Sequence, residues 1–193
     1  MFNWISFFTY VIVTCITPGP GNIMAMSNGS RKGFKRALPF NFGILFGLLA
    51  VTILCTVFLS MLAELIPIIK TPMLFIGAAY MLYLAWAVFR SSGNIEEKQL
   101  HGGLVSGLIL QFINPKLYIY CIMSLEVYIL PYYGGRPPAL LGFAVLLSIF
   151  GFAATLCWSG FGSVFKWLFS THAKKVNTVM ALLLVYCAVS LFI

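Results

Sequence analysis

The 193-residue chain has no aspartate and only four glutamates, and 8% of its residues are charged. A water-soluble globule of this size needs far more polar surface, so at 61% hydrophobic residues and a mean hydropathy of +1.00 the expected solvent is lipid. No Lys or Arg precedes Arg31, whereas a secretory signal opens with a basic segment, so the first apolar run is expected to be a retained helix. Cysteines at metal-ligand spacing are also missing. Cys15, Cys55, Cys121, Cys157 and Cys187 each fall inside an apolar run, where they are expected to act as small packing residues, and neither a metal nor another cofactor is expected.

What the chain does have is long apolar runs. A membrane span takes about 20 mostly apolar residues, and the runs read as Phe2 to Met26, Leu38 to Ala63, Ile66 to Phe89, Leu104 to Leu130, Ala139 to Gly160 and Val176 to Ile193. The expected fold is therefore an all-α integral membrane protein of six transmembrane helices, filling residues 1–193 as a single transporter domain with no room for an appended enzyme. The net charge of +8 forms no single basic face, which argues against a nucleic-acid partner. Arg31, Lys32, Lys35 and Arg36 follow the first run, Arg90 and Lys98 the third, and Lys166, Lys174 and Lys175 the fifth, against only Lys70 and Arg136 in the opposite loops. By the positive-inside rule both termini are expected outside the cytoplasm. Trp4, Tyr83, Trp86, Tyr132, Tyr133 and Trp167 sit near the expected interfaces, and Gly43/Gly47 and Gly103/Gly107 have the small-xxx-small spacing of close helix packing, which permits a homodimer without requiring one.

Two of the runs cannot be continuous helices. The first holds Thr17-Pro18-Gly19-Pro20-Gly21-Asn22, and the fourth holds Gln111-Phe112-Ile113-Asn114-Pro115-Lys116. Proline removes a backbone donor and clashes with the preceding turn. Thr17 before Pro18 and Asn114 before Pro115 read as caps of new helices with proline at the first position. The breaks fall in the first span of each three-helix half, which is the pattern of two inverted repeats, about 1–97 and about 98–193, with broken first and fourth helices. Freed backbone groups are tolerated at membrane depth only inside protein or beside a wet cavity, so two facing breaks imply a polar site between the repeats. A proline kink can also serve packing alone.

Helix starts near Gly19 to Asn22 and near Lys116 offer free N–H groups to a carboxylate. Free carbonyls are expected around Thr14 and Leu110, and Thr17, Asn22, Gln111 and Asn114 add neutral contacts for an ammonium group. A small zwitterionic amino acid fits these parts, and the scarcity of acidic groups favours a neutral one over lysine or arginine. Lys116 is the one basic residue deep in a span, a candidate for proton coupling or carboxylate pairing unless its stem snorkels to the interface. Glu126, near the outer end of the same span, is a second coupling candidate unless it is merely solvated.

The Thr-Pro-Gly-Pro run with Asn22, the basic segment behind it, and Gln-Phe-Ile-Asn-Pro-Lys resemble the LysE/RhtB amino-acid exporters over essentially the whole chain. Within that family, Leu108 to Lys116, Gly77 to Trp86 and Ala181 to Val189 look most like the branch that exports cysteine and O-acetylserine. The resemblance implies export from a bacterial cytoplasm across the inner membrane, driven by the proton motive force; the two helix breaks themselves point to Thr17, Pro18, Gly19, Pro20, Gly21, Asn22, Gln111, Asn114, Pro115 and Lys116 as the residues around the substrate. Export of another neutral amino acid such as homoserine or threonine is the near alternative. A membrane thiol-disulfide electron carrier is the distant one, since Cys15-Ile-Thr-Pro18 has a Cys-x-x-Pro shape. The position matching Cys15 before Pro115, however, is Phe112.

Overall fold

The computed structural model describes residues 2–58, 72, 75–76, 78–86, 88–90, 103–165 and 172–189, and every regular element among them is helical. In chain order these are α1 (Trp4–Ile16), α2 (Pro20–Lys32), α3 (Phe34–Val57), α4 (Ala78–Arg90), α5 (Leu104–Ile113), α6 (Pro115–Met123), a π-helical stretch (Ser124–Ile129), α7 (Leu130–Tyr133), α8 (Pro137–Val164) and α9 (Ala173–Val189). Among the described residues, α3 and α8 are long and apolar enough to cross a membrane, at 24 and 28 residues, and α5 with its continuation to Tyr133 makes a third span bent by 64°. The expected division near residues 97 and 98, the basic residues Lys70, Lys98 and Lys166, the glutamates Glu64, Glu96 and Glu97, and Trp167 lie outside the described residues.

The first run divides where its prolines require. Pro18 has no N–H with which to continue α1, and Pro20 disfavours helical backbone at the residue before it, so no new helix can start until Pro20 itself. Gly19 accordingly takes the extended conformation (φ −161°, ψ 169°) as the N-cap of α2. This corrects the expected start at Pro18. Thr17 closes α1, and its hydroxyl folds back onto the Thr14 carbonyl at 2.8 Å instead of capping α2.

The basic segment behind α2 is not a loop. Arg31 and Lys32 occupy the last turn of α2 and Lys35 and Arg36 the first turn of α3, with the chain reversing at Gly33 alone. Gly33 has φ +79°, a conformation that a side chain would strain. Cations in the last turn of α2 also suit the negative end of its dipole.

Side chains such as Ile5 (81% exposed) and Leu182 (62%) point outward while Phe7, Ile23, Phe40, Met81 and Leu184 are buried, an arrangement suited to lipid on the outside. Inside, α2 is buried along its whole length from Pro20 to Ser30 although it carries Asn22, Ser27, Asn28 and Ser30. It can lie so close to α8 because a Cβ at Gly29 would strike the Ser159 carbonyl, and one at Gly162 would strike that of Met26. Gly43 against Leu104 and Gly107 against Phe40 bring α3 and α5 together in the same way, so these glycines are consumed by packing within one chain. Thr52 and Ser148 hydroxyls pair at 2.9 Å between α3 and α8.

Candidate functional site

The first break leaves the last carbonyls of α1 without intrahelical partners, and side chains from four elements fill them. Asn22 of α2 donates to the Cys15 and Thr17 carbonyls at 2.8 and 3.0 Å, and the Trp158 indole of α8 donates to that of Ile16 at 3.2 Å. The Cys187 thiol of α9 reaches the Pro18 carbonyl at 3.8 Å. The fourth contributor is Lys116. The carbonyl groups expected to be free around Thr14 are thus in use, because the break supplies its own donors.

Lys116 comes from the second break. Asn114, held extended by the proline after it (φ −84°, ψ 99°), is the N-cap of α6, but its side chain makes no capping bond. Its amide instead donates weakly to Gln111 Oε1 at 3.4 Å, and its buried Oδ1 finds no partner among the described residues. From the next turn Lys116 crosses to the first break, where Nζ donates to Thr17 O at 2.8 Å, Thr17 Oγ1 at 2.9 Å and Pro18 O at 3.4 Å. All three ammonium hydrogens can be satisfied at the negative end of α1. Glycine permits the crossing, since a Cβ at Gly19 would lie 3.0 Å from Lys116 Cδ.

Between the breaks lies a cavity of about 60 Å³, room for a few waters. Gly19, Gly21, Asn22, Gln111, Asn114 and Lys116 line it, together with Thr14 and Cys15 of α1, Ile44 and Leu48 of α3, Leu117 and Tyr120 of α6, and Gly151 and Thr155 of α8. Among the described residues, no acidic side chain lines this cavity. At the start of α2, Gly21 and Asn22 N–H groups precede the first intrahelical bonding turn, which opens with Ile23 N–H to Gly19 O at 2.9 Å.

Six of the ten residues expected around a ligand therefore share one cavity; Thr17, Pro18, Pro20 and Pro115 shape the breaks without lining it. Glu126 lies in the π-helical stretch with its side chain exposed, outside the cavity. Cys15, expected only to pack, lines the cavity, and Cys187 touches the first break. The contributions of α3 and α8 had one signal in the sequence, the polar residues Thr155, Ser159 and Ser163 recurring every fourth position in an apolar run.

The LysE type translocator family matches residues 12–193. Over 191 residues, 97% of this chain and 96% of the relative, it is 35% identical to the cysteine/O-acetylserine efflux protein of Salmonella paratyphi A. The protein of that name from Escherichia coli (strain K12) is 35% identical over 193 residues, with the same coverage. No solved structure matches.

Proposed function

The chain belongs to the LysE type translocator family, a membrane transporter family, and from that premise we propose that it exports small neutral amino acids, cysteine and O-acetylserine foremost. Export runs from the cytoplasm across a bacterial inner membrane, with the proton motive force as its drive and both termini on the outer side. The observation that carries the reading is the crossing of Lys116 from one helix break to the other beside a small cavity that Asn22, Gln111 and Asn114 line.

In this reading the substrate carboxylate takes the Gly21 and Asn22 N–H groups at the start of α2, where the helix dipole favours an anion. The Asn114 Oδ1, buried and without a partner among the described residues, accepts from the substrate ammonium. Lys116 is the coupling group: its ammonium holds the empty site together, and leaving the Thr17 and Pro18 carbonyls frees them for the substrate's ammonium. The absence of carboxylates from the cavity lining disfavours dibasic solutes, and its small volume disfavours bulky ones.

The test is release of labelled cysteine or O-acetylserine from liposomes holding the purified protein under an imposed pH gradient, for wild type, Asn114→Leu and Lys116→Leu. Gradient-driven release lost in both variants is the expected result. Release of homoserine or threonine in place of these solutes would move the substrate within the family, and release that both variants retain would remove the breaks from the site.

A further inference from the structure

Between the cavity and the basic end of the molecule, the helices do not meet through ordinary apolar packing. Thr155 lines the cavity from α8, and one turn nearer the basic end on the same helix face stands Ser159, fully buried, its hydroxyl without a partner among the described residues. One turn further, Ser163 is half-buried and accepts from the Phe34 N–H at 3.1 Å where α3 begins beside the basic residues. On α3, Asn41 stands one turn below the cavity-lining Ile44, also fully buried, with neither its amide nitrogen nor its oxygen paired among the described residues.

A buried amide and hydroxyl without partners are a cost that a purely structural seam avoids, because Leu and Ala would fill the same space without it. Ser159 lies where α2 and α8 touch backbone to backbone through Gly29 and Gly162, a contact too close to admit a solute, and Asn41 lies on α3 seven residues before the cavity-lining Leu48, on the same helix face. We infer that this seam is the shut passage between the basic face and the cavity, and that Asn41 and Ser159 are its polar lining, paired with water and solute only when α2 and α8 separate. The passage takes a small zwitterionic solute, which meets hydroxyl and amide groups at successive turns from Ser163 to Thr155. The identity of that solute rests on the export reading; the passage itself rests on the buried polar groups.

The experiment is cysteine accessibility in the full-length protein with its five native cysteines replaced by alanine. Ser159→Cys and Asn41→Cys are placed separately in that background and reconstituted, and a charged methanethiosulfonate is added to each side in turn. Ile149→Cys, at a position 53% exposed on the outer surface of the bundle, is the lipid-facing reference. A seam that opens to water predicts modification from the basic side at least about tenfold faster than the reference, slowed by O-acetylserine, which carries no thiol to consume the reagent. If one reporter fails to fold, the other reads the same seam. Release of O-acetylserine from vesicles in which both folded reporters label no faster than the reference would overturn the passage and leave export standing. Rapid labelling of either reporter, with no release from vesicles holding the wild-type protein, would keep the passage and overturn export.

Discussion

The two halves of this molecule are held together by different means. Around the basic end, α2, α3, α5 and α8 meet through Gly29, Gly43, Gly107 and Gly162, where backbone lies against backbone. At the opposite end α1, α8 and the stretch before it meet through rings: Phe2 against Tyr133 at 5.6 Å, Phe7 against Tyr128 at 5.9 Å and Phe143 at 5.8 Å, Trp4 stacked on Phe8 at 5.7 Å, and Tyr133 against Phe143 at 5.0 Å. A glycine seam has two arrangements, closed or apart, because one added carbon prevents contact. Aromatic clusters hold over a range of offsets and tilts, and so give way gradually. If the proposed passage opens, the basic end is the part expected to separate abruptly and the aromatic end the part expected to yield, with the two broken helices between them.

Enlarging the seam is the most severe way to break this comparison. Gly29→Leu or Gly162→Leu drives a side chain into a facing backbone carbonyl, and overpacking of this kind costs about 1–3 kcal/mol or more. The expected outcome is near-complete loss of release together with a lower unfolding midpoint in detergent, and wild-type behaviour of both variants would dissolve the distinction between the halves. At the boundary, Lys116→Met leaves the Thr17 and Pro18 carbonyls without their cation. Release is expected to fall at least about tenfold, roughly the 1.4 kcal/mol attached to one charge-assisted hydrogen bond, with the protein still folded.

A third variant sharpens the comparison by separating stability from activity. Replacing the Asn41 amide, unpaired among the described residues, in Asn41→Leu removes a buried polar group that costs about 1–3 kcal/mol, so the unfolding midpoint is expected to rise while release slows several-fold, because the closed seam has become the favoured state. Stability and release falling together would mark Asn41 as a plain structural residue. The smallest effect belongs to the aromatic half. Phe8→Leu gives up ring contacts with Trp4, Phe7 and Phe150, each worth about 0.5–1.5 kcal/mol, yet release measured in the same liposomes is expected to stay within about twofold of wild type.

Proline made the breaks legible, because its missing donor and fixed φ act on the chain locally, whatever surrounds it. Asn22, Gln111 and Lys116 could be placed beside them from that alone. The shift of the α2 start from Pro18 to Pro20 was legible too, had the restriction that Pro20 places on Gly19 been weighed against the capping preference of Thr17. Ile44, Leu48 and Gly151 could not have been found this way: in a helix that is apolar all round, composition does not say which face meets the cavity and which meets lipid. The turn at Gly33 was hidden because Arg31, Lys32, Lys35 and Arg36 clustered around it look like a loop, whereas one positive φ suffices to reverse the chain. Ser159 and Asn41 were each visible as letters, but their lack of partners is a property of the packed helices.

The covalent tether on the cation at the first break bears on permeability. A cluster of carbonyl oxygens at membrane depth is otherwise a coordination site for sodium or potassium, and a carrier that paused with that cluster vacant would short-circuit the gradient across its own membrane. Here the occupant arrives on the side chain of Lys116 and cannot diffuse away, and its charge repels any free cation that approaches. The resting site is filled by a cation that stays attached to the chain even when it leaves the carbonyls.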